Sequence, residues 1–472
     1  MDYQLIIIGS GPGGYVAAIR AAQYGLKVAV IEERDAGGTC LNRGCIPTKA
    51  LLHAAASYHS LQSDFADMGI EVTAASLDWE RMHERKKEIV LKVRSGVEGL
   101  FKGNAVDMLR GHGKLLAPGK VEFTPAQGEV QTLTADHVIL ASGSVPTMPK
   151  EEFYQLPCVI NSDTILEAET KPYQSIAILG GGVIGVEFAD FYNSIGSDVT
   201  LIVSSPRMLR LMDKELASNL NRAFKKKGIK VLTNTSVTAI EEVAGGAKLH
   251  LIDNKKETQS ELEVEAVLVA KGRHPNMEGL LADGVELEMD RKFVKVDKNF
   301  QTSLPGVYAI GDLIGGFQLA HEASCEGEYV AALLTGQESH TDPRLVPSCI
   351  YTSPEISSVG LTEEESKEQG IAIKTGKYLM AGNGKSMIDY EDQGFIKFIV
   401  SDPEEKILGV QMICGRATDL ISEFTTAIAQ GLTVKQLLSG MRPHPTYCEG
   451  ITEALESIHE MSIHTMPSKR RS

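Results

Sequence analysis

The chain has 472 residues, a formal net charge of −15 and 43 % hydrophobic residues. This length allows several domains with large apolar cores. The acidic balance argues against nucleic acid and against an anionic membrane surface as partners. No apolar stretch approaches the ~20 residues needed to span a bilayer. We therefore expect a multidomain protein whose partners include neither nucleic acid nor a membrane.

Cysteine usage and the first residues indicate the compartment. Seven cysteines at scattered spacings do not form the disulfide framework of a secreted domain. Asp2 stands where a signal peptide carries a basic residue, and glycines interrupt the apolar run from residue 5 to residue 22. These features predict a cytoplasmic location, where an intramolecular disulfide tends to be catalytic.

The chain opens with a strand, a glycine turn, a helix and a second strand. The turn is GSGPGG at positions 9–14, and the second strand ends at Glu32. This order predicts a βαβ dinucleotide-binding unit. In such a unit Gly9 and Gly11 let the backbone approach a pyrophosphate, while Gly14 permits close packing of the helix. Glu32 ends the second strand, where an acid can accept hydrogen bonds from a ribose; the alternative is a solvated carboxylate at a strand end.

Two cysteines follow this unit, in GGTCLNRGCIPTK at positions 37–49. Residues five apart in a continuous helix lie about 7.5 Å apart along its axis. A disulfide needs Cα atoms within roughly 4.4–6.8 Å, so Cys40 and Cys45 can bond only across an irregular stretch, which Gly44 and Pro47 favour. Cys45 precedes a helix predicted for residues 48–59, whose dipole favours a thiolate. A disulfide that closes so short a loop removes little entropy from the unfolded chain and would stabilise the fold only slightly. A redox role for the two cysteines therefore fits better than a structural one.

The glycine unit occurs a second time. An apolar run leads into GGGVIG at positions 180–185, and a helical stretch leads to a strand ending at Val203. Glu32 and Val203 each stand 23 residues after the first glycine of their unit. Each turn alone is also compatible with an α/β protein that holds no ligand. Two such units in one register predict two bound nucleotides.

The remaining elements complete the predicted organisation. A long charged helix is predicted for 79–101, and alternating strands (394–400 and 407–413) and helices follow residue 346 without another glycine fingerprint. We predict an α/β fold with two βαβ (Rossmann-like) dinucleotide-binding domains and a C-terminal α+β interface domain. The predicted parts are residues 1–147 (first nucleotide-binding domain, first part), 148–275 (second nucleotide-binding domain), 276–345 (central segment completing the first) and 346–472 (C-terminal domain).

Several segments together carry a resemblance to a known family. They are residues 37–49, both glycine fingerprints, Ala141-Ser142-Gly143, YAIGD at 308–312 and HPTYCE at 444–449. Over essentially its whole length the chain resembles the disulfide flavoprotein reductases, the class I pyridine nucleotide-disulfide oxidoreductases. Within them it is similar to the dihydrolipoamide dehydrogenases.

The resemblance implies FAD at the first fingerprint. Asp312 would bind the ribityl chain, residues 318–321 would run along the flavin, and Lys49 would approach its N5 edge and pair with Glu187. The implied FAD-binding residues are Gly9, Gly11, Gly14, Glu32, Thr39, Lys49, Gly113, Ser142, Gly143, Ser144, Asp312, Gln318, Leu319, Ala320 and His321.

The resemblance also implies a nicotinamide nucleotide at the second fingerprint. Val203 stands where NAD-specific relatives usually carry an acid, and Ser204, Ser205 and Arg207 follow it. Such residues suit a 2′-phosphate. We favour NAD over NADP as the nucleotide bound here and keep both as alternatives. The implied binding residues are Gly180, Gly182, Val183, Ile184, Gly185, Glu187, Val203, Val237 and Gly272.

The family's chemistry implies roles for the thiols and for one histidine. Cys40 would be the interchange thiol of a Cys40–Cys45 disulfide, and Cys45 the charge-transfer thiolate facing the flavin. His444 would be the base, held by Glu449. In the family this histidine serves the other subunit, which implies a homodimer. No His/Cys spacing suits a zinc site.

The favoured function is that of an FAD-dependent dihydrolipoamide dehydrogenase. Its partner would be a lipoyl-bearing protein of a 2-oxoacid dehydrogenase, acetoin or glycine-cleavage complex. One alternative is a related disulfide reductase, such as a glutathione reductase-like enzyme using NADPH. A second is a non-catalytic nucleotide-binding subunit of a complex, which the combination of Cys40, Cys45, Lys49, Glu187 and His444 disfavours.

Overall fold

The computed structural model describes residues 1–148, 153, 155–167 and 171–466. The helices in these residues are α1 (Pro12–Gln23), α2 (Gly38–Arg43), α3 (Cys45–Ser63), α4 (Trp79–Gly103), α5 (Ser162–Glu167), α6 (Val183–Ser194), α7 (Lys214–Lys226), α8 (Ala320–Thr335), α9 (Glu363–Glu368), α10 (Gly384–Ile388), α11 (Ala417–Ala429), α12 (Val434–Leu438) and α13 (Glu449–Glu456). Short 3-10 turns are formed by Gly311–Leu313, Met380–Gly382 and Ser457–His459.

Within the described residues, the strands form three main sheets of five or six strands, one three-stranded sheet and two two-stranded ribbons. They are β1 (Tyr3–Ile8), β2 (Val28–Glu32), β3 (Asp107–Ala117), β4 (Lys120–Pro125), β5 (Gln131–Leu140), β6 (Ser144–Pro146), β7 (Val159–Asn161), β8 (Ser175–Leu179), β9 (Asp198–Ile202), β10 (Lys230–Leu232), β11 (Thr235–Val243), β12 (Gly246–Asp253), β13 (Gln259–Val264), β14 (Ala266–Val269), β15 (Arg273–Pro275), β16 (Met289–Asp290), β17 (Phe293–Val294), β18 (Val307–Ala309), β19 (Ser348–Ile350), β20 (Glu355–Gly360), β21 (Ile373–Leu379), β22 (Phe395–Ser401) and β23 (Ile407–Cys414).

The first sheet is built around β1. This strand pairs in parallel with β2 and β5, β2 pairs in parallel with β3, and β18 pairs in parallel with β5. Strand β4 runs antiparallel to both β3 and β5. The side chains of Leu5, Ile6 and Ile7 are fully buried, which a continuous apolar strand in the middle of a covered parallel sheet requires. The first glycine turn therefore sits at the carboxyl end of the central strand.

The second sheet has the order β10-β9-β8-β14-β7, with every pair parallel. Helix α6 crosses over from β8 to β9, and its Phe188 and Phe191 are buried. They share one apolar cluster with Leu51 and Leu52 of α3. Because α3 begins at Cys45, this cluster packs the helix of the cysteine pair against the second nucleotide-binding unit.

The third sheet is antiparallel, in the order β19-β20-β23-β22-β21, and carries its own apolar core with α11 and α13. A buried ion pair ties it to the second unit. The Nζ atom of Lys397 lies 2.7 Å from Asp213 and 3.0 Å from Glu363, and the side chains of Lys397 and Asp213 are 3 % and 5 % exposed. Removing one partner of such a pair leaves a buried charge uncompensated, which typically costs about 3–5 kcal/mol.

The element types agree closely with the sequence expectations. Both predicted βαβ units are present, and the C-terminal strands and helices form a separate sheet with its own core. The helix predicted for 48–59 runs from Cys45 to Ser63, and the one predicted for 79–101 runs from Trp79 to Gly103. The division of the chain at residues 147, 275 and 345 stays a prediction. In the part of the chain that the structure describes, no helix has both the length and the apolarity that crossing a bilayer requires.

Candidate active site

A cavity of about 1220 Å³ lies where the parallel strands of the first two sheets end, beside the C-terminal domain. It brings most of the predicted residues together. The predicted FAD residues on its wall are Gly9, Gly11, Glu32, Thr39, Lys49, Gly113, Ser142, Gly143, Ser144, Asp312, Gln318, Leu319, Ala320 and His321. The predicted nicotinamide residues on its wall are Gly180, Gly182, Val183, Ile184, Glu187, Val203, Val237 and Gly272. Cys40 and Cys45 also line it.

Gly14 and Gly185 lie behind the two turns rather than on the cavity wall. A Cβ at Gly14 would lie 2.0 Å from the carbonyl oxygen of Gly9, and one at Gly185 would lie 1.9 Å from that of Gly180. Any larger residue would push the helix away from its strand. By contrast, a Cβ at Gly11 or at Gly182 would meet no atom within 4 Å. Both turns thus combine tight packing behind with open space in front.

The first glycine turn has the features of an anion site. No side chain caps the first turn of α1, so its amide groups remain directed at the cavity. The nearby Glu32 carboxylate is buried and fixed: Oε2 accepts from the backbone N–H and the hydroxyl of Ser10, both at 2.8 Å, and Oε1 accepts from the N–H of Arg34 at 2.8 Å. The turn can hold a pyrophosphate with an acid placed for the adjoining ribose.

Polar groups further along the cavity fit a flavin nucleotide. The Ser144 hydroxyl donates to the Asp312 carboxylate and accepts from Nε of Arg273 at 2.7 Å. The Nε2 atom of Gln318 is buried and has no hydrogen-bond partner within the described residues. An unpaired buried amide is costly, so a ligand that accepts from it fits this wall. Sequence reasoning missed Arg273, since nothing local shows that its side chain reaches back to Ser144.

Gly44 alone separates the helices that carry the two cysteines. Cys40 lies in α2, and Cys45 is the first residue of α3. A Cβ at Gly44 would lie 3.2 Å from Cys40 Cα and 3.0 Å from the carbonyl oxygen of Thr39. The absence of a side chain at residue 44 therefore lets the two helices fold closely together. The irregular stretch expected between the cysteines is confined to this one residue, because residues 41–43 are helical.

The two thiols differ in acidity. Both cysteines are free thiols, and hydrogen bonding from Cys40 together with the charge of Lys49 lowers the pKa of Cys45 to about 7 although burial opposes the shift. The hydrogen bond to Cys45 and burial raise the pKa of Cys40. Cys45 also sits at the positive end of α3, which favours its thiolate. Of the two thiols, Cys45 is therefore the more acidic, and Cys40 keeps its proton to higher pH.

Lys49 is held by a buried carboxylate from the second unit. Its Nζ atom lies 2.9 Å from Oε1 and 2.7 Å from Oε2 of Glu187, whose side chain is 3 % exposed. The backbone N–H of Tyr351 donates to Glu187 at 3.0 Å, and Nζ lies 4.6 Å from the centre of the Tyr351 ring. Sequence reasoning paired Lys49 with Glu187 but missed Tyr351, which belongs to the C-terminal domain and to no recognisable motif.

The second glycine turn is flanked by a buried valine. Val203 directly follows β9, and a Cβ at Gly181 would lie 2.8 Å from its side chain. Ser204, Ser205 and Arg207 continue along the cavity wall. The Nη2 atom of Arg207 donates to the Arg210 carbonyl at 3.1 Å, while Nη1 is buried without a partner in the described residues. This edge therefore offers hydroxyls and a guanidinium, with an apolar side chain where an acid is expected.

His444 and Glu449 form a pair, but they are absent from the cavity wall. The Nδ1 atom of His444 lies 2.7 Å from Oε1 of Glu449, whose Oε2 accepts from the N–H of Thr446 at 3.0 Å. Although burial opposes the shift, these two hydrogen bonds lower the pKa of Glu449. The His444 side chain is 78 % exposed. The structure thus brings His444 and Glu449 together at an exposed position outside the wall of the cavity that Cys40 and Cys45 line.

The sequence of the chain matches two models of one protein family. Residues 3–327 match the sequence model of the pyridine nucleotide-disulphide oxidoreductases, and residues 346–455 match the dimerisation domain of the same family. The chain belongs to this family. The dihydrolipoyl dehydrogenases of Thermus scotoductus and Bacillus subtilis are 40 % and 38 % identical to it, each over 98 % of this chain and 99 % of the relative.

A solved structure shows the same fold. The HOCl-induced flavoprotein disulfide reductase RclA from Escherichia coli, as its Cu(II) complex, superposes with a TM-score of 0.85 at 25 % sequence identity, over 97 % of this chain and 99 % of that one. The predicted fold class and resemblance are confirmed. The chain is an oxidoreductase that uses FAD and a pyridine nucleotide. Its dimerisation domain supports the predicted homodimer.

The acidity of Cys45 can be tested by alkylation of the reduced protein. Because its pKa is about 7, Cys45 should react with iodoacetamide with a midpoint near that pH. Lys49→Met removes a charge that stabilises the thiolate, so the midpoint should move to higher pH. Cys349 lines the same cavity, and burial raises its pKa to about 11, so it serves as the internal control. Mass spectrometry of alkylated peptides over a pH series measures both. A wild-type midpoint at about 8.5, the ordinary cysteine value, would contradict the account.

Proposed function

We propose that the protein oxidises the dihydrolipoyl group of a lipoyl-bearing protein and passes the electron pair to NAD⁺. The observation that carries the proposal is the Cys40–Cys45 dithiol at the junction of two glycine turns in one cavity. The full-length relatives support the choice of substrate, since they bear the name dihydrolipoyl dehydrogenase. A 2-oxoacid dehydrogenase, acetoin or glycine-cleavage complex is the proposed source of that partner, and the cytoplasm the proposed location.

The unequal acidity of the thiols sets the direction of exchange. A substrate thiolate attacks the sulfur of Cys40 in the oxidised pair, forming a mixed disulfide while Cys45 leaves as a thiolate. The second substrate sulfur then attacks the first, which releases the cyclic disulfide product and leaves Cys40 to take up a proton. Cys45 is suited to leave because thiols of low pKa leave faster. The substrate loses two electrons and two protons, and the cysteine pair gains the two electrons.

FAD, when bound, would supply the two-electron chemistry needed to reoxidise the cysteine pair and to reduce a nicotinamide. We assign the first glycine turn, Glu32, Asp312 and residues 318–321 to holding FAD. We assign the second glycine turn and Val203 to the nicotinamide nucleotide. The positive charge of Lys49 stabilises the Cys45 thiolate, and the ion pair with Glu187 holds the Lys49 ammonium group in position. We propose that residues 1–147 and 276–345 form the FAD-binding domain and that residues 148–275 form the nicotinamide-binding domain. Residues 346–472 are the proposed dimerisation domain.

We assign His444 as the base that deprotonates the substrate dithiol. The Glu449 carboxylate accepts a hydrogen bond from Nδ1–H of the His444 ring. The other ring nitrogen, Nε2, is therefore left to accept the proton of the substrate thiol. The outward position of His444 supports service to the other subunit of a homodimer, because the cavity of its own chain lies elsewhere. Each complete site would then need cysteines from one chain and the histidine from the second.

The role of His444 predicts a specific kinetic defect. His444→Gln should lower kcat for dihydrolipoamide oxidation by about 10²- to 10⁴-fold, the usual contribution of a general base, and leave the flavin bound. His459→Gln is the matched control, since His459 pairs with Glu405 and takes no part in the proposed chemistry. Steady-state rates and flavin absorbance measure both variants. Near-normal turnover in His444→Gln would remove this residue from the mechanism.

Val203 predicts the nucleotide preference. A carboxylate at this position would accept from a 2′-hydroxyl and repel a 2′-phosphate, so Val203→Glu should raise the NAD/NADP ratio of kcat/KM by about 10-fold or more. The ratio in the wild type decides between NAD and NADP as the physiological acceptor. An unchanged ratio in the variant would show that Val203 does not face the ribose.

A further inference from the structure

A short segment of the C-terminal domain, residues 351–353, is fastened to the second nucleotide-binding unit. The backbone N–H of Tyr351 donates to Oε1 of Glu187 at 3.0 Å, and that of Ser353 donates to Oδ2 of Asp190 at 2.8 Å. Both carboxylates are buried. They are three residues apart on α6 and therefore lie on one face of this helix. The segment is thus held at two points along the same helix.

The second of these points is supported from outside the cavity. The Nζ atom of Lys227, which follows α7, lies 2.6 Å from Oδ1 of Asp190. The hydroxyl of Ser353 also donates to Oε1 of Glu391 at 3.2 Å. None of these four residues lines the cavity of the cysteine pair. The position of the segment is therefore set by contacts that leave its cavity-facing residue, Tyr351, free to serve the site.

The ring of Tyr351 lies against the ammonium group of Lys49. The Nζ atom is 4.6 Å from the ring centre, within the range of a cation–π contact. The same Nζ atom lies 2.7 Å and 2.9 Å from the two carboxylate oxygens of Glu187. Burial, together with the nearby Cys349 and Glu187, raises the pKa of Tyr351 to about 12, so the ring is neutral at physiological pH. The ammonium group thus has one partner from the second unit and one from the C-terminal domain.

Lys49 is the charged neighbour of Cys45. It lies four residues after Cys45 in α3, so the two side chains share one helix face, and both line the cavity. The hydrogen bond from Cys40, and next the charge of Lys49, lower the pKa of Cys45 to about 7 against the effect of burial. The titratable groups near Cys45 come from several elements: Cys40 of α2, Lys49 of α3, Glu187 of α6, Arg273 of β15 and Tyr351 after β19.

We propose that Tyr351 is a positioning residue through which the C-terminal domain holds the Lys49 ammonium group beside Cys45. The ring restricts a flexible lysine side chain and keeps water from part of its charge, and a less screened charge stabilises a neighbouring thiolate more strongly. The inference rests on the proposed function, in which Cys45 leaves as a thiolate. It makes the acidity of that thiol depend on the dimerisation domain.

Substitutions at Tyr351 separate the ring from the backbone contact. Tyr351→Leu removes the ring and keeps the N–H that donates to Glu187. It should raise the midpoint pH of Cys45 alkylation by about half a pH unit, the size expected for loss of one cation–π contact. Tyr351→Phe keeps the ring and should leave the midpoint unchanged. The measurement is iodoacetamide labelling of the reduced, full-length, FAD-loaded dimer over a pH series, read by peptide mass spectrometry.

The effect of the ring should require Lys49. In a Lys49→Met background, Tyr351→Leu should cause no further rise of the Cys45 midpoint. Tyr390→Leu is the matched control, because Tyr390 also belongs to the C-terminal domain and is 43 % exposed, against 40 % for Tyr351. Its hydroxyl donates to Asp67, at 2.7 Å, and its loss should leave the Cys45 midpoint at the wild-type value. Thermal midpoints report whether each variant is folded.

Three results would overturn the proposal. An unchanged midpoint in Tyr351→Leu would show that the ring does not act on the thiol. A rise of equal size with and without Lys49 would show that the ring acts by another route. A fall would show that the ring only buries Cys45, since exposing a thiol to water favours its thiolate. A rise in Tyr351→Leu that is absent from Tyr351→Phe and from the Lys49→Met background would support the proposal.

Turnover is measured separately, so the two proposals can fail independently. If the wild type does not oxidise dihydrolipoamide, the proposed function is wrong, while the alkylation midpoints still decide the role of Tyr351. If the wild type turns over and the midpoint in Tyr351→Leu is unchanged, the proposed function stands and the role of Tyr351 is refuted.

Discussion

One buried carboxylate joins the three parts of this molecule. Glu187 belongs to the helix of the second nucleotide-binding unit and forms an ion pair with Lys49 of the helix that begins at Cys45. It also accepts a hydrogen bond from the backbone N–H of Tyr351 in the C-terminal domain. A buried carboxylate without partners would be strongly unfavourable, so both the Lys49 contact and the Tyr351 contact stabilise the buried Glu187. The relative placement of the two glycine turns, and hence the shared cavity, depends on this junction.

The acidity of the cysteines follows from the same junction and from one glycine. Lys49 is held within reach of Cys45 by Glu187, and Gly44 lets the helix of Cys40 approach the helix of Cys45. Together these constraints give a dithiol in which one sulfur is acidic and the other retains its proton. A pair of this kind serves for exchange with a substrate dithiol, whereas two ordinary thiols at neutral pH would offer little thiolate.

Local spacing made much of the site predictable from the sequence. The glycine turns, Cys40 with Cys45, and His444 with Glu449 are each contained within a few residues, so one short pattern shows all their members. Arg273, Tyr351 and the pairing of Ser353 with Asp190 escaped prediction because the contacts that matter join distant segments. The spacing of residues likewise could not predict that the His444 side chain is exposed, because its exposure depends on how α13 packs on its sheet.

We propose that a complete site takes its cysteines from one chain and its histidine from the other chain of the dimer. The direct measurement is the turnover of a purified mixed dimer, made by coexpressing differently tagged Cys45→Ser and His444→Gln chains. One of its two sites should then contain both intact cysteines and an intact histidine, so the account predicts about half the wild-type rate per dimer. Both parent homodimers should be inactive or nearly so. A mixed dimer as inactive as its parents would show that each site is built within a single chain, and would contradict the account.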